Sequence, residues 1–269
     1  MKPSLAVRAV AILAMALFLS PGGAAGQEPG RVCFSAGERL VYDIKWTVIP
    51  AGRVTLEVLP DEEVNGQPAR RFAMTARTNS FVDAFYKVRD RVDAWTDLGL
   101  TRTLLYRQDQ HEGKTRRKVL VTLDWDRHEA TYTQDGKPNR PIQVPDGAFD
   151  PLSIFYYFRT LALSEGAELT RPVTDGKKAV LGRAKVRKKE KVKTEMGEME
   201  AWLLEPELKH VGGVFEKDEK AKLQIWFSTD GRAIPVKIKS KVAVGSFTVE
   251  LVSVETHPQQ GKSPCTSIP

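Results

Sequence analysis

The sequence is poor in the residues that carry most enzyme chemistry. It holds two cysteines and four histidines in 269 residues. His111, His128, His210 and His257 lie far apart in polar stretches, so none has metal-ligand spacing and no metal site is expected. Cys33 and Cys265 are too distant in sequence to form a redox Cys-x-x-Cys turn. A Gly-x-Ser-x-Gly elbow, a phosphate loop and a dinucleotide fingerprint are all missing, so no cofactor is expected. Long apolar runs are also scarce. The first, residues 9–19, falls short of the roughly 20 residues a spanning helix needs. The next, residues 152–163, is broken by Arg159. No repeat of fixed period and no low-complexity linker divides the chain.

What is present begins with an export signal. Lys2 and Arg8 give a positive start, and Ile12, Leu13, Met15, Leu17 and Phe18 form an apolar stretch. Pro21, Gly22 and Gly23 break it before Ala24-Ala25-Gly26, where small residues suit a signal peptidase. Residues 1–26 are therefore expected to be a signal peptide, cut after Gly26 or after Ala25; an uncleaved anchor is the alternative. Gly30-Arg31-Val32 before Cys33 is not a lipobox. The expected location is periplasmic or secreted, with no transmembrane segment after cleavage. An oxidising compartment would allow a disulfide between Cys33 and Cys265; two unpaired thiols are the alternative. The formal net charge is +7. Its basic residues are dispersed among acids without interleaved aromatics, so nucleic acid is not an expected partner.

Strand patterns dominate the rest. Leu40, Tyr42, Ile44, Trp46 and Val48 alternate with polar residues, the period of a half-buried strand. Residues 49–52 read as a turn, and Val54, Leu56 and Val58 resume the alternation. Asn65-Gly66 is a hairpin signal, returning through residues 71–78. Residues 87–95, 119–125 and 130–134 read as strands. So do 180–193 with 198–204, and then 223–228, 234–243 and 246–255. Residues 80–86 suggest a short helical turn. Asp150 at an N-cap position and Pro151 in the first turn open one longer helix, expected to run through Leu161. The fold expected is mainly β: a strongly curved antiparallel sheet or open β-barrel around one buried helix. Residues 27–269 would form a single domain with a polar C-terminal tail from about residue 257. Two stacked β modules split near residues 145–150 are the alternative.

Few residues invite a site. Alternation places Tyr86, Val88 and Asp90 on one face and Lys87, Arg89 and Arg91 on the other. A carboxylate on an apolar face needs a cationic partner, and Arg159 on the apolar helix is one candidate. That pair would either fix helix to sheet or anchor a ligand. Phe149, Phe155, Tyr156, Tyr157 and Phe158 form either core or the lining of an apolar cavity. Tyr86, Asp90, Tyr157 and Arg159 are thus the expected ligand-binding residues. Asp124 and Asp126 flank Trp125, as a glycosidase carboxylate pair could, or simply as acids of a strand-end turn. Residues 183–193 carry a basic run, read as a solubilising edge or as a docking surface for an acidic polymer or an anionic membrane.

Gly37-Glu38-Arg39-Leu40-Val41-Tyr42, residues 85–91, Asp150-Pro151-Leu152-Ser153 with Tyr156-Tyr157 and Arg159, and residues 225–231 with Pro235-Val236 resemble a bacterial exported family, domain of unknown function 3108. The resemblance runs through nearly the whole chain beyond the signal and brings no activity with it. By looser analogy, exported curved sheets holding a helix are similar to lipoprotein carriers that bind acyl chains. The function expected is non-catalytic binding or carriage of a lipid or envelope polymer. An envelope-assembly scaffold acting through its surface and a carbohydrate-active enzyme are the alternatives.

Overall fold

A computed structural model of the chain describes residues 30–207, 221–242, 245–256 and 265–267. The expected signal peptide, His210, His257 and most of the expected tail from about residue 257 lie outside the described residues. Of that tail residues 265–267 are described, tied back by the Cys265 disulfide and by pairing of Thr266 and Ser267 with Val32 and Arg31. In chain order the elements begin with β1 (Arg31–Val32), β2 (Arg39–Trp46), β3 (Ile49–Val64) and β4 (Gln67–Thr78). Next come α1 (Ser80–Asp83), β5 (Arg89–Asp97), β6 (Thr103–Glu112), β7 (Thr115–Asp124) and β8 (Glu129–Gln134). The middle holds β9 (Lys137–Pro138), β10 (Ile142–Gln143), α2 (Ser153–Phe158), β11 (Glu168–Thr174) and β12 (Ala179–Thr194). The chain closes with β13 (Gly197–Pro206), β14 (Lys222–Ser228), β15 (Pro235–Val242), β16 (Gly245–Glu255) and β17 (Thr266–Ser267).

Among the described residues one antiparallel sheet holds 15 strands, ordered β10-β8-β7-β6-β5-β4-β3-β2-β16-β15-β14-β13-β12-β11, with β9 beside β8. Pairing of β2 with β16, Trp46 opposite Phe247, joins the two halves of the chain. Six register shifts, such as those at Ile44/Lys45 and Leu251/Ser253, bend the strands. A bulge adds twist and lets a long sheet curl. The sheet is not closed: β10 and β11 are its two edges. Residues 144–174 lace across the gap. Val144 N–H donates to His128 C=O, Thr103 N–H to Ala148 C=O, and Phe149 N–H to Pro172 C=O.

Burial follows the period-two alternation. Leu40, Tyr42 and Ile44 are buried, while Trp46 and Val48, expected on the same face, protrude at the end of the hairpin. The turn is Thr47-Val48, and residues 49–52 belong to β3, not to the expected turn. Gly52 lies there because β4 passes close by: a Cβ would sit 2.2 Å from the Arg77 carbonyl oxygen.

The expected long helix contracts to the six residues of α2, all buried. Leu152, not Asp150, takes the N-cap position; Asp150 stands two residues earlier, and its Oδ1 accepts from the Leu152 and Ser153 N–H groups at 2.8 and 2.9 Å. Thr103 donates its hydroxyl to Asp150 Oδ2 at 2.6 Å and accepts from the Asp150 N–H at 2.8 Å. The backbone turns tightly after Phe158, so Arg159 and Thr160 leave the helix. Tyr156 and Leu152 pack with Phe72, Val92, Tyr106 and Val121 of β4–β7. Phe155, Tyr157 and Phe158 pack with Leu204, Ile225 and Phe227 of β13 and β14. Each buried ring contributes about 1.5–3 kcal/mol relative to exposure, so this short segment ties both halves of the sheet together. No described helix is long and apolar enough to cross a membrane.

Candidate functional site

Strand direction gives the molecule two ends. One end holds residues 30–38 before β2, the β7–β8 turn and the β14–β15 turn. The other holds the β2–β3 turn, α1, and the β6–β7 and β8–β9 turns. At the first end Cys33 and Cys265 form a disulfide, Cα atoms 4.0 Å apart across a sequence separation of 232 residues. Beside it β1 pairs with β17. Phe34 follows Cys33 and packs edge-on against Phe72 and Tyr156.

Arg159 lies beneath this staple. Its Nη1 and Nη2 donate to Glu38 Oε1 and Oε2 at 2.5 and 2.9 Å, and both side chains are buried. The guanidinium also stands over the Phe34 ring, 4.7 Å from its centre. Burial opposes the Arg159 charge, yet the Glu38 hydrogen bonds carry its pKa above the ordinary value. The hydroxyls of Tyr42 and Tyr156 are buried within electrostatic reach of this pair, and among the described residues neither has a hydrogen-bond partner. Burial pushes both phenols up, against the pull of Arg159.

Above Arg159 opens a cleft of about 440 Å³. Leu161, Leu163, Trp202 and Ala233 give it apolar walls, and the disulfide borders it. Its hydroxyls are already engaged: Thr160 donates to Tyr157 C=O, Ser228 to Asp230, and Thr229 to Glu200. Arg31, exposed, stands at the edge. Apolar walls beneath one cationic rim suit an amphipathic molecule with an anionic head, and the volume lies in the ligand-pocket range. A larger groove of about 710 Å³ crosses the outer face of β2–β4. Its charges are largely paired with one another, Arg53 with Asp43 and Lys45 with Glu195, so it offers less to a ligand.

The four expected ligand residues do not converge. Arg159 borders the cleft, but its partner is Glu38 and not Asp90, because the turn after α2 aims it toward the start of β2. Tyr157 is core, packed on Phe149 with Arg171 over its ring. Tyr86 and Asp90 belong to the other end. The Tyr86 ring lies on Gly113, where a Cβ would come within 2.9 Å of it. Asp90 is buried; its carboxylate accepts from the His111 N–H at 2.8 Å and hydrogen-bonds the Glu112 carboxyl. Burial raises the Asp90 pKa above the usual carboxylate value, against both contacts.

Asp124 Oδ1 accepts from the Asp126 and Arg127 N–H groups at 3.1 Å, so it serves a turn. In the basic run, Lys188, Lys189 and Lys191 pair with Glu190, Glu200 and Glu198, which removes most of its pull on an acidic polymer. His111 and His128 each face a single aspartate, and no metal-holding group occurs among the described residues. Sequence reasoning missed Glu38, Arg31, Leu163 and Trp202 as site residues. Glu38 carried a signal: it is an acid adjoining an apolar strand, inside the Gly37–Tyr42 segment that carried the family resemblance.

No curated protein matches the chain. A beta-barrel-like protein of domain of unknown function DUF1849 from Brucella abortus superposes at TM-score 0.56, with 11% identity over 84% of this chain and 99% of that one. This likeness shows the fold alone. A Bacteroides fragilis protein with YmcC-like fold matches at TM-score 0.39 and 9% identity, over 84% of this chain and 99% of its own. The family model for DUF3108, protein of unknown function, matches residues 41–252. The chain therefore belongs to the DUF3108 family.

Proposed function

Taking membership of DUF3108 as the premise, we propose that this chain is an exported, non-catalytic binding or carrier protein for a lipid-like amphiphile. The observation that carries the reading is the cleft at the disulfide end, apolar along Leu161, Leu163 and Trp202 and cationic at Arg31. Export to the periplasm or beyond is supported by the signal-like residues 1–26 and by the disulfide, a bond suited to an oxidising compartment. The ligand class follows from the cleft: an alkyl or aryl body against the walls and an anionic head at the guanidinium. The scaffold reading loses support because the basic hairpin satisfies its own charges.

Native mass spectrometry of the purified protein, followed by titration with a fluorescent fatty acid, tests this. Uptake of one amphiphile per chain is expected, weakened at least tenfold in Leu163→Trp, which fills the cleft, and several-fold in Arg31→Glu. No uptake, or uptake equal in both variants, would overturn it.

A further inference from the structure

The end opposite the cleft carries a different surface. Seven large hydrophobic residues are exposed among the described residues, and five of them cluster here: Trp46, Val48, Ile49, Phe81 and Phe85. They sit on two adjoining segments, the β2–β3 turn and the α1 region. Asn79 binds the two together, its N–H donating to Ala51 C=O and its Nδ2 to Pro50 C=O at 2.7 Å.

These residues are displayed and not merely uncovered. Val48 is 81% exposed at a hairpin tip, and Thr47 takes φ 58° there, where Asn-Gly would be the favoured sequence. Phe81 and Phe85 stand 5.6 Å apart, edge to face, while Val82 between them packs on the core. The segment is held from below. Asn79 caps α1 through the Val82 N–H, and Asp83 takes hydrogen bonds from Thr78 and Arg89 at 2.5 Å each. Two phenyl rings are thus fixed outward at little ordering cost.

Charge identifies what they meet. Lys87 follows Phe85 and is exposed, and Lys114 and Lys137 are exposed on neighbouring turns of the same end. The acid of α1, Asp83, is consumed by Arg89. The exposed acid of the β8–β9 turn, Asp135, is held by the Lys118 N–H at 2.8 Å. Aromatic and aliphatic tips with exposed lysines on the same and neighbouring turns match an anionic bilayer surface. We infer that the Trp46–Ile49 turn and the Phe81–Phe85 segment dock this protein on a membrane rich in anionic headgroups. This inference is independent of cleft occupancy.

Vesicle co-sedimentation tests it with phosphatidylcholine vesicles containing about 30% phosphatidylglycerol. The purified protein should bind them, and at least five-fold less to phosphatidylcholine alone. Phe81→Ser with Phe85→Ser should weaken binding tenfold or more, and Lys87→Glu with Lys114→Glu should remove the preference for anionic lipid. All four side chains are exposed, so circular dichroism and thermal melts should match the parent. Leu163→Trp should sediment like the parent, which separates this surface from the cleft. Failure of the parent to bind anionic vesicles, or undiminished binding by the double phenylalanine variant, would overturn the inference. So would self-association that depends on the two phenylalanines in the absence of vesicle binding.

Discussion

Arg159 and Glu38 face each other as a two-pronged ion pair inside the molecule, both less than 5% exposed. Removing one partner leaves a buried charge uncompensated, which costs about 3–5 kcal/mol. Glu38→Gln and Arg159→Met should each lower the urea midpoint strongly. Glu38→Leu combined with Arg159→Met should recover most of that loss, because the desolvation cost of both ions disappears. A double variant as unstable as the singles would show that the pair supports the fold through shape alone.

The disulfide should matter for stability and for the cleft at once. Linking residues 232 apart limits the unfolded chain by up to roughly 5 kcal/mol in the chain-entropy view. Cys33→Ser with Cys265→Ser should therefore lower the thermal midpoint and weaken fatty-acid uptake, since Cys265 forms part of the cleft. Denaturation with and without dithiothreitol should reproduce the shift in the parent and leave the double variant unmoved.

Asp90 predicts a pH effect of definite sign. Burial holds its folded pKa above the usual value, so the folded chain keeps a proton that the unfolded chain has released. Its contribution is full below the unfolded pKa and is lost as pH rises through the folded one. Asp90→Asn should remove that loss, raising the thermal midpoint near pH 7.5 by about 2–4 °C for each kcal/mol recovered, with little change at pH 4. Asp93 should behave oppositely. Burial pushes its carboxyl up, but hydrogen bonds from Arg91 and Arg71 outweigh this and hold it below the usual value. Its contribution is present above the unfolded pKa and lost as pH falls. Melting curves should separate the two: Asp90→Asn diverges from the parent as pH rises above the usual carboxylate range, and Asp93→Asn as pH falls below it, so the series must extend into the acid range below about pH 4.

Gly52→Ala should be among the costlier single-methyl additions. Its Cβ would meet the Arg77 carbonyl oxygen at 2.2 Å and Thr78 Cα at 2.8 Å, both backbone atoms. A loss above about 2 kcal/mol is expected from urea denaturation. Gly66→Ala is the contrast: no atom lies within 4 Å, so only the positive-φ strain of the turn should register.

Most of the sheet was legible because its strands alternate apolar and polar residues. Leu40, Tyr42 and Ile44 announce β2, and Asn65-Gly66 announces the β3–β4 turn. β6 was not legible, because its inward row continues past Tyr106 as Gln108, Gln110 and Glu112, all buried but polar. β11 was hidden by Arg171-Pro172, which an edge strand tolerates and a central strand does not. The helix was overread: five aromatic and aliphatic residues in a row, Ile154 to Phe158, carry no period to mark where coiling stops. At the site, Arg159 could be picked as an isolated charge in an apolar stretch. Its partner could not, since Glu38 is 121 residues away and only the curl of the sheet brings them together.

The pairing of β2 with β16 has a consequence for the order in which the molecule can be made. Trp46 meets Phe247, so the strand that begins the sheet waits for some two hundred residues before its second neighbour exists. Contacts so distant in sequence form slowly, and a growing chain cannot complete them at all. A nascent or truncated product therefore keeps a bare β2 edge and an unfinished shell. For a polypeptide threaded unfolded through a translocation pore, that delay is useful. If the chain is exported as proposed, the two halves of the sheet would join only after the last long strand has come through, where the cysteines could be oxidised.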